Sequence, residues 1–376
     1  MNARVTILMS DTGGGHRAVA TAVRSELWKL RRGLRVELVD GLLRYAPYPL
    51  NRLPNWYAPI IAHGKGLWRH GYALSDGHRR VQALNSAARP YVRAAVRKML
   101  HAHPAEVLVS THPLLVGPVL DGLGGCRSAF VTVVSDLASV HAWWFDSRAT
   151  RTLVPTPAAR ARALARGLAP QRVRVCGLPV AVAFCGGTRD RAAARRKLGW
   201  KAEQFTVLLL GGAEGMAPLK QIARALRASA MPMQLAVVCG RNARLRAELA
   251  ATRWPSPSYV YGFVENMHDM MSAADVVVTK AGPSTLMEAL NCGRPLLLSG
   301  AIPGQEEGNV RMVVEAGAGW WTPRAEQVVE RLRALQHAGR REIETIAVAA
   351  RELAVPGAAR AVAAEIVALL PEPVIA

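Results

Sequence analysis

Short apolar runs rich in β-branched residues recur along the 376-residue chain, and amphipathic stretches separate them. The first run, residues 5–9, stops at Asp11-Thr12-Gly13-Gly14-Gly15. Val19, Val23, Leu27 and Leu30 then fall at spacings of four and three, which predicts a helix over residues 16–32. Residues 34–39 read as the second strand. Strand, glycine turn, helix and strand in this order open a parallel α/β sheet. Further buried strands are predicted at 107–109, 129–134 and 152–154, with a helical stretch at 79–99.

The pattern breaks at Gly177-Leu178-Pro179 and again at Gly186-Gly187, and then restarts. Residues 206–210 read as a strand, Gly211-Gly212-Ala213-Glu214-Gly215 as a glycine turn and 219–226 as a helix. Strands are predicted at 235–238, 276–279, 295–299 and 319–321, and terminal helices over 325–370. Two α/β halves that open alike predict two Rossmann-like domains facing a cleft, residues 1–180 and 181–376. One segment departs from the alternation. Residues 41–78 carry Pro47, Pro49, Pro54 and Pro59 with no clear strand.

Composition adds limits. Apolar residues are 51% and charged residues 20%, an ordinary globular balance that excludes disordered and fibrous classes. Five cysteines without a C-x-x-C pair disfavour a disulfide framework or a zinc ribbon and fit a reducing compartment. The first residues are too short for a signal-peptide core, and no stretch approaches a membrane span.

The net charge is +21, and residues 1–180 carry +16 of it, which suggests an anionic partner. Residues 31–98 hold Tyr45, Tyr48, Trp56, Tyr57, Trp68, Tyr72 and Tyr91, one third of all the aromatic residues, among an excess of arginine. Such a mixture suits a membrane interface with anionic lipid. An ordinary loop region that packs its rings inward gives the same pattern, and a GC-rich genome also spends arginine freely.

Four groups of residues carry chemistry. In the first, Gly13, Gly14 and Gly15 let backbone N–H groups approach an anion, and His16 follows at the helix start. The helix dipole there lowers the imidazole pKa and favours the neutral, proton-accepting form. The same stretch matches G-x-G-x-x-A, with Asp40 ending the second strand, so a dinucleotide fingerprint stays open. In the second, Ser135-Asp136-Leu137 follows a buried strand, and His141, Trp143, Trp144 and Phe145 come next. Asp136 orients or deprotonates a hydroxyl, or caps a helix. His141 does the same, or caps a loop. The tryptophans form an apolar wall or touch lipid.

The third group, Gly211 and Gly212 through Met216, repeats the anion cradle and is a natural pyrophosphate site. The fourth is Lys280-Ala281-Gly282-Pro283-Ser284-Thr285 with Glu288, then Pro303-Gly304-Gln305-Glu306-Glu307-Gly308-Asn309. Glu288, one turn into a helix, suits the two hydroxyls of a ribose. Gln305, Glu306 and Asn309 suit the hydroxyls of a sugar. Between these groups, a strand ending in Gly262-Phe263-Val264 suits a base slot.

Together these motifs resemble the monogalactosyldiacylglycerol synthases and the related diacylglycerol glucosyltransferases. Those enzymes belong to glycosyltransferase family 28, with the MurG-type enzymes of cell-wall synthesis. The resemblance rests on Asp-Thr-Gly-Gly-Gly-His at 11–16, Ser-Asp-Leu at 135–137 with His141 and Trp144-Phe145, and Gly-Leu-Pro-Val at 177–180. It is completed by Ala-Gly-Pro-Ser-Thr with Glu288 and by Pro-Gly-Gln-Glu-Glu-Gly-Asn at 303–309. It is loosest at 41–78 and beyond 325. Ser135 stands where threonine is common.

The resemblance implies a GT-B fold, a UDP-sugar donor held mainly by the second domain and diacylglycerol entering through the first. Glu288 would bind ribose, Gly212 and its neighbours the diphosphate, Phe263 and Val264 the uracil, and Gln305 with Glu306 the sugar. His16 and Asp136 would face the reacting centre, with Gly14, Gly15, His141 and Trp144 around the acceptor. Plant members carry plastid-targeting segments, and nothing like them is seen here. The expected setting is therefore a bacterial cytoplasmic enzyme, peripheral on the inner face of an anionic membrane.

The expected reaction is an inverting transfer of a hexose, galactose or glucose, that yields a β-glycosyl diacylglycerol. His16 is the first choice as base and Asp136 its challenger. No D-x-D motif lies in a fitting loop, so no cofactor and no obligatory metal are expected. Three alternatives stay open at this level: a MurG-like transfer of GlcNAc to a polyprenyl-linked acceptor, an NAD-dependent oxidoreductase, and a nucleic-acid binder resting on charge alone.

Overall fold

The computed structural model describes residues 3–12, 14–124, 127–186, 190–212 and 218–372. The chain divides into two compact units. The first comprises residues 1–181 together with Pro303–Gln305 and residues 357–376, and the second comprises 182–302 and 306–356. The final twenty residues and the tripeptide Pro303–Gln305 therefore leave the second domain, where the chain order alone had put them.

The first unit is built on a parallel sheet of β1 (Arg4–Met9), β2 (Arg35–Asp40), β3 (Val107–Ser110), β4 (Ala129–Val133), β5 (Arg151–Val154) and β6 (Val173–Val175). The spatial order is β2-β1-β3-β4-β5-β6. β1, β3 and β4 are almost wholly buried, which is why they read as unbroken apolar runs rather than alternating ones. Leu8, Val39, Leu108 and Phe130 pack with Val116 and Val119 of helix Pro113–Leu123 in one core cluster. The strand order reverses between β1 and β3. In open α/β sheets a crevice forms outside the C-terminal strand ends at such a point.

Residues 41–78 are helical. Helices Gly41–Tyr45, Leu53–His63 and Lys65–Ser75 run through the segment. Pro54 sits in the first turn of its helix, where a missing N–H costs nothing, so it starts a helix rather than breaking one. The segment that the sequence marked only by its lack of a clear strand is thus helical.

The second unit repeats the plan with β7 (Thr206–Leu210), β8 (Gln234–Val238), β9 (Ser258–Tyr261), β10 (Val276–Lys280), β11 (Leu296–Gly300) and β12 (Gly319–Trp321). Its order, β12-β11-β10-β7-β8-β9, reverses between β7 and β10. Val207, Leu209, Val237, Val278 and Leu297 pack with Leu219 and Ile222 of helix Leu219–Ala228 and with Val328 and Leu332 of helix Ala325–Leu353. β9 stops at Tyr261, so Gly262, Phe263 and Val264 lie beyond the strand that was expected to end on them.

Candidate functional site

In the first unit the reversal point gathers the loops after β1, β3 and β4. Gly14 takes φ +82° at the N-cap of helix Gly15–Leu30, a conformation open to glycine at little cost. Among the described residues no side chain caps this helix, so its first N–H groups face the site uncapped. His16 is its second residue. Its Nδ1 lies 2.7 Å from the Thr111 carbonyl, just past β3, and 3.1 Å from Ser135 Oγ, past β4. A carbonyl only accepts, so Nδ1 carries the proton and Nε2 keeps its lone pair.

Burial pushes the His16 pKa down to about 4, against the opposing pull of the Thr111 bond and of Asp11. The sequence anticipated the direction. Its largest cause is desolvation by burial.

His112 escaped the sequence reading. Its ring centroid is 4.5 Å from that of His16. The Leu114 N–H donates to His112 Nδ1, so Nε2 carries the proton and donates to Thr12 Oγ1 at 2.9 Å. Burial and the neighbouring His16 hold this imidazole neutral. The signal lay in Ser110-Thr111-His112-Pro113, a polar stretch at the C-terminal end of a predicted strand.

Asp136 is buried, and its Oδ2 accepts from Trp144 Nε1 at 2.7 Å. Trp144 and Phe145 are core residues, packed with Val134, Val140 and Val154, which removes them from lipid contact. The Trp144 ring also sits 6.0 Å from that of His16. His141 takes the second of its two roles. Its Nδ1 accepts from the Trp143 N–H, and its Nε2 lies near Tyr72 O and Ser75 Oγ, so it caps a turn within the fold. Gln305 belongs to this unit. Its amide Nε2 is 3.4 Å from Asp136 Oδ1, and Tyr57 OH is 3.4 Å from its Oε1.

Asp40 is spent on the fold. Its carboxylate accepts from Ser10 Oγ at 3.0 Å, from the Asp11 N–H at 3.3 Å and from the Leu43 N–H at 2.8 Å as the N-cap of the next helix. A dinucleotide ribose finds no acceptor waiting there, which removes the residue on which the oxidoreductase alternative rested.

In the second unit the reversal point joins the ends of β7 and β10. Gly212 takes φ +73°, and a Cβ there would meet Lys280 at 3.8 Å. Lys280 Nζ pairs with Glu306 Oε1 at 2.5 Å, and Glu306 Oε2 accepts the Ile302 N–H at 2.9 Å. With 2% exposure and both oxygens engaged, Glu306 anchors the lysine rather than reading sugar hydroxyls. Gly282 makes the lysine's position possible, since a Cβ there would stand 2.7 Å from Nζ. Asn309 is equally buried. Its Nδ2 holds the Ala281 carbonyl, a supporting role, while its Oδ1 has no partner among the described residues.

Helix Pro283–Asn291 starts beside this lysine with Pro283, Ser284 and Thr285 in its first turn. Among the described residues no side chain caps it, and Ser284 Oγ is buried without a partner. Glu288 is half-buried one turn on. Burial pushes its pKa up to about 8. Gly211, Gly212, an uncapped helix start, an ammonium and an available carboxyl thus converge in one unit. Such a set holds a phosphate-bearing ligand with a diol. Phe263, beyond the edge strand β9, is 57% exposed and stacks against the Arg241 guanidinium at 5.1 Å, with Val264 half-buried beside it. Met216, like Ala213, Glu214 and Gly215, lies outside the described residues.

Comparison with known proteins follows the same division. Residues 16–180 match the family described as Monogalactosyldiacylglycerol (MGDG) synthase, and residues 206–363 match the Glycosyltransferase family 28 C-terminal domain. A chloroplastic monogalactosyldiacylglycerol synthase of Spinacia oleracea is 35% identical over 363 residues, covering 89% of this chain and 69% of the relative. A probable chloroplastic monogalactosyldiacylglycerol synthase of Glycine max is 38% identical over 329 residues, covering 84% of this chain. The match spans 62% of that relative's own length. Among solved structures, MurG of Acinetobacter baumannii superposes with a TM-score of 0.63 over 97% of this chain and 99% of its own, at 17% identity. That likeness shows the fold, GT-B with two Rossmann-like domains.

Proposed function

The chain belongs to the monogalactosyldiacylglycerol synthase family, and from that premise we propose that it transfers galactose from UDP-galactose to the free hydroxyl of diacylglycerol. His16 is the base. A lipid hydroxyl becomes an effective nucleophile only as its proton leaves, and a positioned base contributes ~10²–10⁴ in rate. The observation that carries this reading is the Thr111 carbonyl on His16 Nδ1, which fixes the tautomer and leaves the Nε2 lone pair to accept a proton. Asp136, held by Trp144, positions rather than deprotonates.

The second unit holds the donor. Glu288 takes the ribose hydroxyls. The N–H groups of Gly211 and Gly212, the helix start at Pro283 and the Lys280 ammonium stabilise the departing diphosphate. These groups supply positive charge themselves, so the reaction runs without an obligatory metal. A single in-line displacement inverts the anomeric carbon and gives the β-galactoside.

No helix among the described residues is long and apolar enough to cross a membrane. Contact with the lipid phase is assigned to helices Leu53–His63 and Lys65–Ser75, where Trp56, Ile60, Leu67 and Leu74 are exposed among arginines. Calorimetric titration with UDP tests the donor half of this reading. The wild type takes up UDP, and Glu288→Ala binds it about tenfold or more weakly, as expected for the loss of its hydrogen bonds to two ribose hydroxyls. No uptake by the wild type overturns it.

A further inference from the structure

The second unit contains a cavity of about 340 Å³ that the site described above does not use. It lies at the N-terminal ends of the central strands. Asp275 immediately precedes β10, and Arg294 closely precedes β11. Gly211, Lys280 and Glu306 follow the opposite ends of the same parallel strands. Five-residue strands at about 3.3 Å per residue separate the two places by about 15 Å.

The cavity is lined by five arginines that come from three segments and by three carboxylates, Asp190, Glu203 and Glu344. Arg191 and Arg195 stand on helix Arg191–Leu198, Arg294 follows the turn at Gly293, and Arg340 and Arg351 stand on helix Ala325–Leu353. Asp275 serves two of them, with Arg191 Nη1 on Oδ1 at 2.6 Å and Arg195 Nη2 on Oδ2 at 2.7 Å. Arg195 spends its remaining donors on the carbonyls of Ala273 and Ala202.

Arg294 is left over. It is 5% exposed, and its Nη1 holds the Ala274 carbonyl at 3.0 Å. Its Nε is buried without a partner, and it forms no ion pair among the described residues. Burial and the neighbouring Arg191 push its pKa down to about 10, against the opposing pull of Asp275 and Glu344. A buried guanidinium with an unpartnered N–H and no carboxylate in direct contact is costly unless something anionic reaches it.

The outer arginines are held by carboxylates of the same cavity, with Arg351 Nη2 on Glu344 Oε1 at 2.5 Å. Arg340 pairs with Glu203 at 2.9 Å, and both side chains are largely exposed, so the pair contributes little. Gly293 takes φ +62°, and a Cβ there would stand 2.8 Å from Arg351 Nη1, so this turn leaves room for that guanidinium.

We propose that this cavity binds a small phosphate-bearing anion, seated on Arg294 and covered by Arg340 and Arg351. The planar guanidinium fork matches phosphate oxygens two at a time, and a phosphate monoester offsets more positive charge than one carboxylate does. The volume falls at the low end of the ~300–1,000 Å³ typical of small-molecule pockets. It suits pyrophosphate or a sugar phosphate. A bound ligand ties helix Arg191–Leu198 to the Gly293 turn and to helix Ala325–Leu353, so it stabilises the second unit. The proposal does not depend on the donor assignment.

The test is calorimetric titration of the full chain with sodium pyrophosphate and, separately, with glucose 1-phosphate. Excess UDP is present to occupy the donor groups. Wild type, Arg340→Ala and the pair Arg340→Ala with Arg351→Ala are compared. Arg340 is exposed, so its single variant guards against misfolding of the pair. The expected result is binding of at least one of the two phosphates by the wild type, weaker binding by Arg340→Ala, and a loss of at least about tenfold in the double variant. Binding of only one phosphate tells whether the free or the sugar-borne form is the ligand. Failure of the wild type to bind either, or affinity unchanged in both variants, overturns the proposal.

Discussion

Trp144 donates its indole N–H to Asp136 Oδ2 at 2.7 Å, and both side chains are buried. Under the proposed reading, the pair makes Asp136 a positioning group and leaves His16 as the base. Asp136 has one oxygen held by the indole and the other beside the Gln305 amide. His16 keeps an Nε2 lone pair because its Nδ1–H is spent on the Thr111 carbonyl. Trp144→Phe keeps the apolar body but leaves the carboxylate oxygen without its donor. It is expected to destabilise the first unit by ~1–3 kcal/mol in urea unfolding, the usual cost of an unsatisfied buried acceptor. An unchanged midpoint would show that the hydrogen bond is dispensable.

His16 sets the acid limb of the pH profile. Its folded pKa of about 4 lies below the ordinary imidazole value, so the ring stays neutral through the range where a free histidine would charge. kcat/KM is expected to fall only as pH drops toward about 4, not near ~6.5. His16→Ala should lower turnover by at least ~10² while UDP affinity stays close to that of the wild type. The same depressed pKa makes stability fall as pH drops from ~6.5 toward 4, because the unfolded chain then binds the proton that the folded chain refuses. A wild-type rate in His16→Ala removes this residue from the mechanism.

The Lys280–Glu306 pair separates stability from binding. Lys280→Ala leaves Glu306 buried and unpaired, and it is expected to cost about 3–5 kcal/mol in the second unit. Lys280→Met combined with Glu306→Gln removes both charges and should recover most of that stability. UDP affinity should remain weakened in the double variant, since the ammonium beside Gly212 is still missing. Full recovery of affinity would mean that the lysine only supports the fold.

These predictions also mark what was legible in the sequence. β1, β3, β7 and β10 announce themselves because both of their faces are buried, and the glycine turns after β1 and β7 mark where ligands approach. β6 was missed because, of its three residues, only Val173 is buried. The helices of residues 41–78 were missed because their prolines read as breakers. The place of His16 in the first turn of its helix and that of Glu288 one turn into its own were readable. The Thr111 carbonyl, 95 positions from His16, has no side-chain signature, and the Lys280–Glu306 pairing spans 26 positions that only the folded sheet brings together.

Vesicle binding tests the lipid-facing segment. Trp56 and Leu67 are exposed on their helices, and Arg52 and Arg69 are exposed beside them. Flotation with vesicles containing anionic lipid should recover more protein than flotation with neutral vesicles, and the difference should shrink at high salt. Leu67→Glu should weaken recovery on both. Equal recovery on both vesicle types refutes the electrostatic part of the assignment.

The transfer itself is the most direct measurement of the central claim. The wild-type chain is incubated with labelled UDP-galactose or UDP-glucose and with vesicles carrying diacylglycerol or an undecaprenyl-linked saccharide, and the lipid products are separated. The account predicts label from UDP-galactose on diacylglycerol, in the β configuration, at a rate that His16→Ala reduces by ~10² or more. Label only on the polyprenyl-linked acceptor, or none on any lipid, contradicts it.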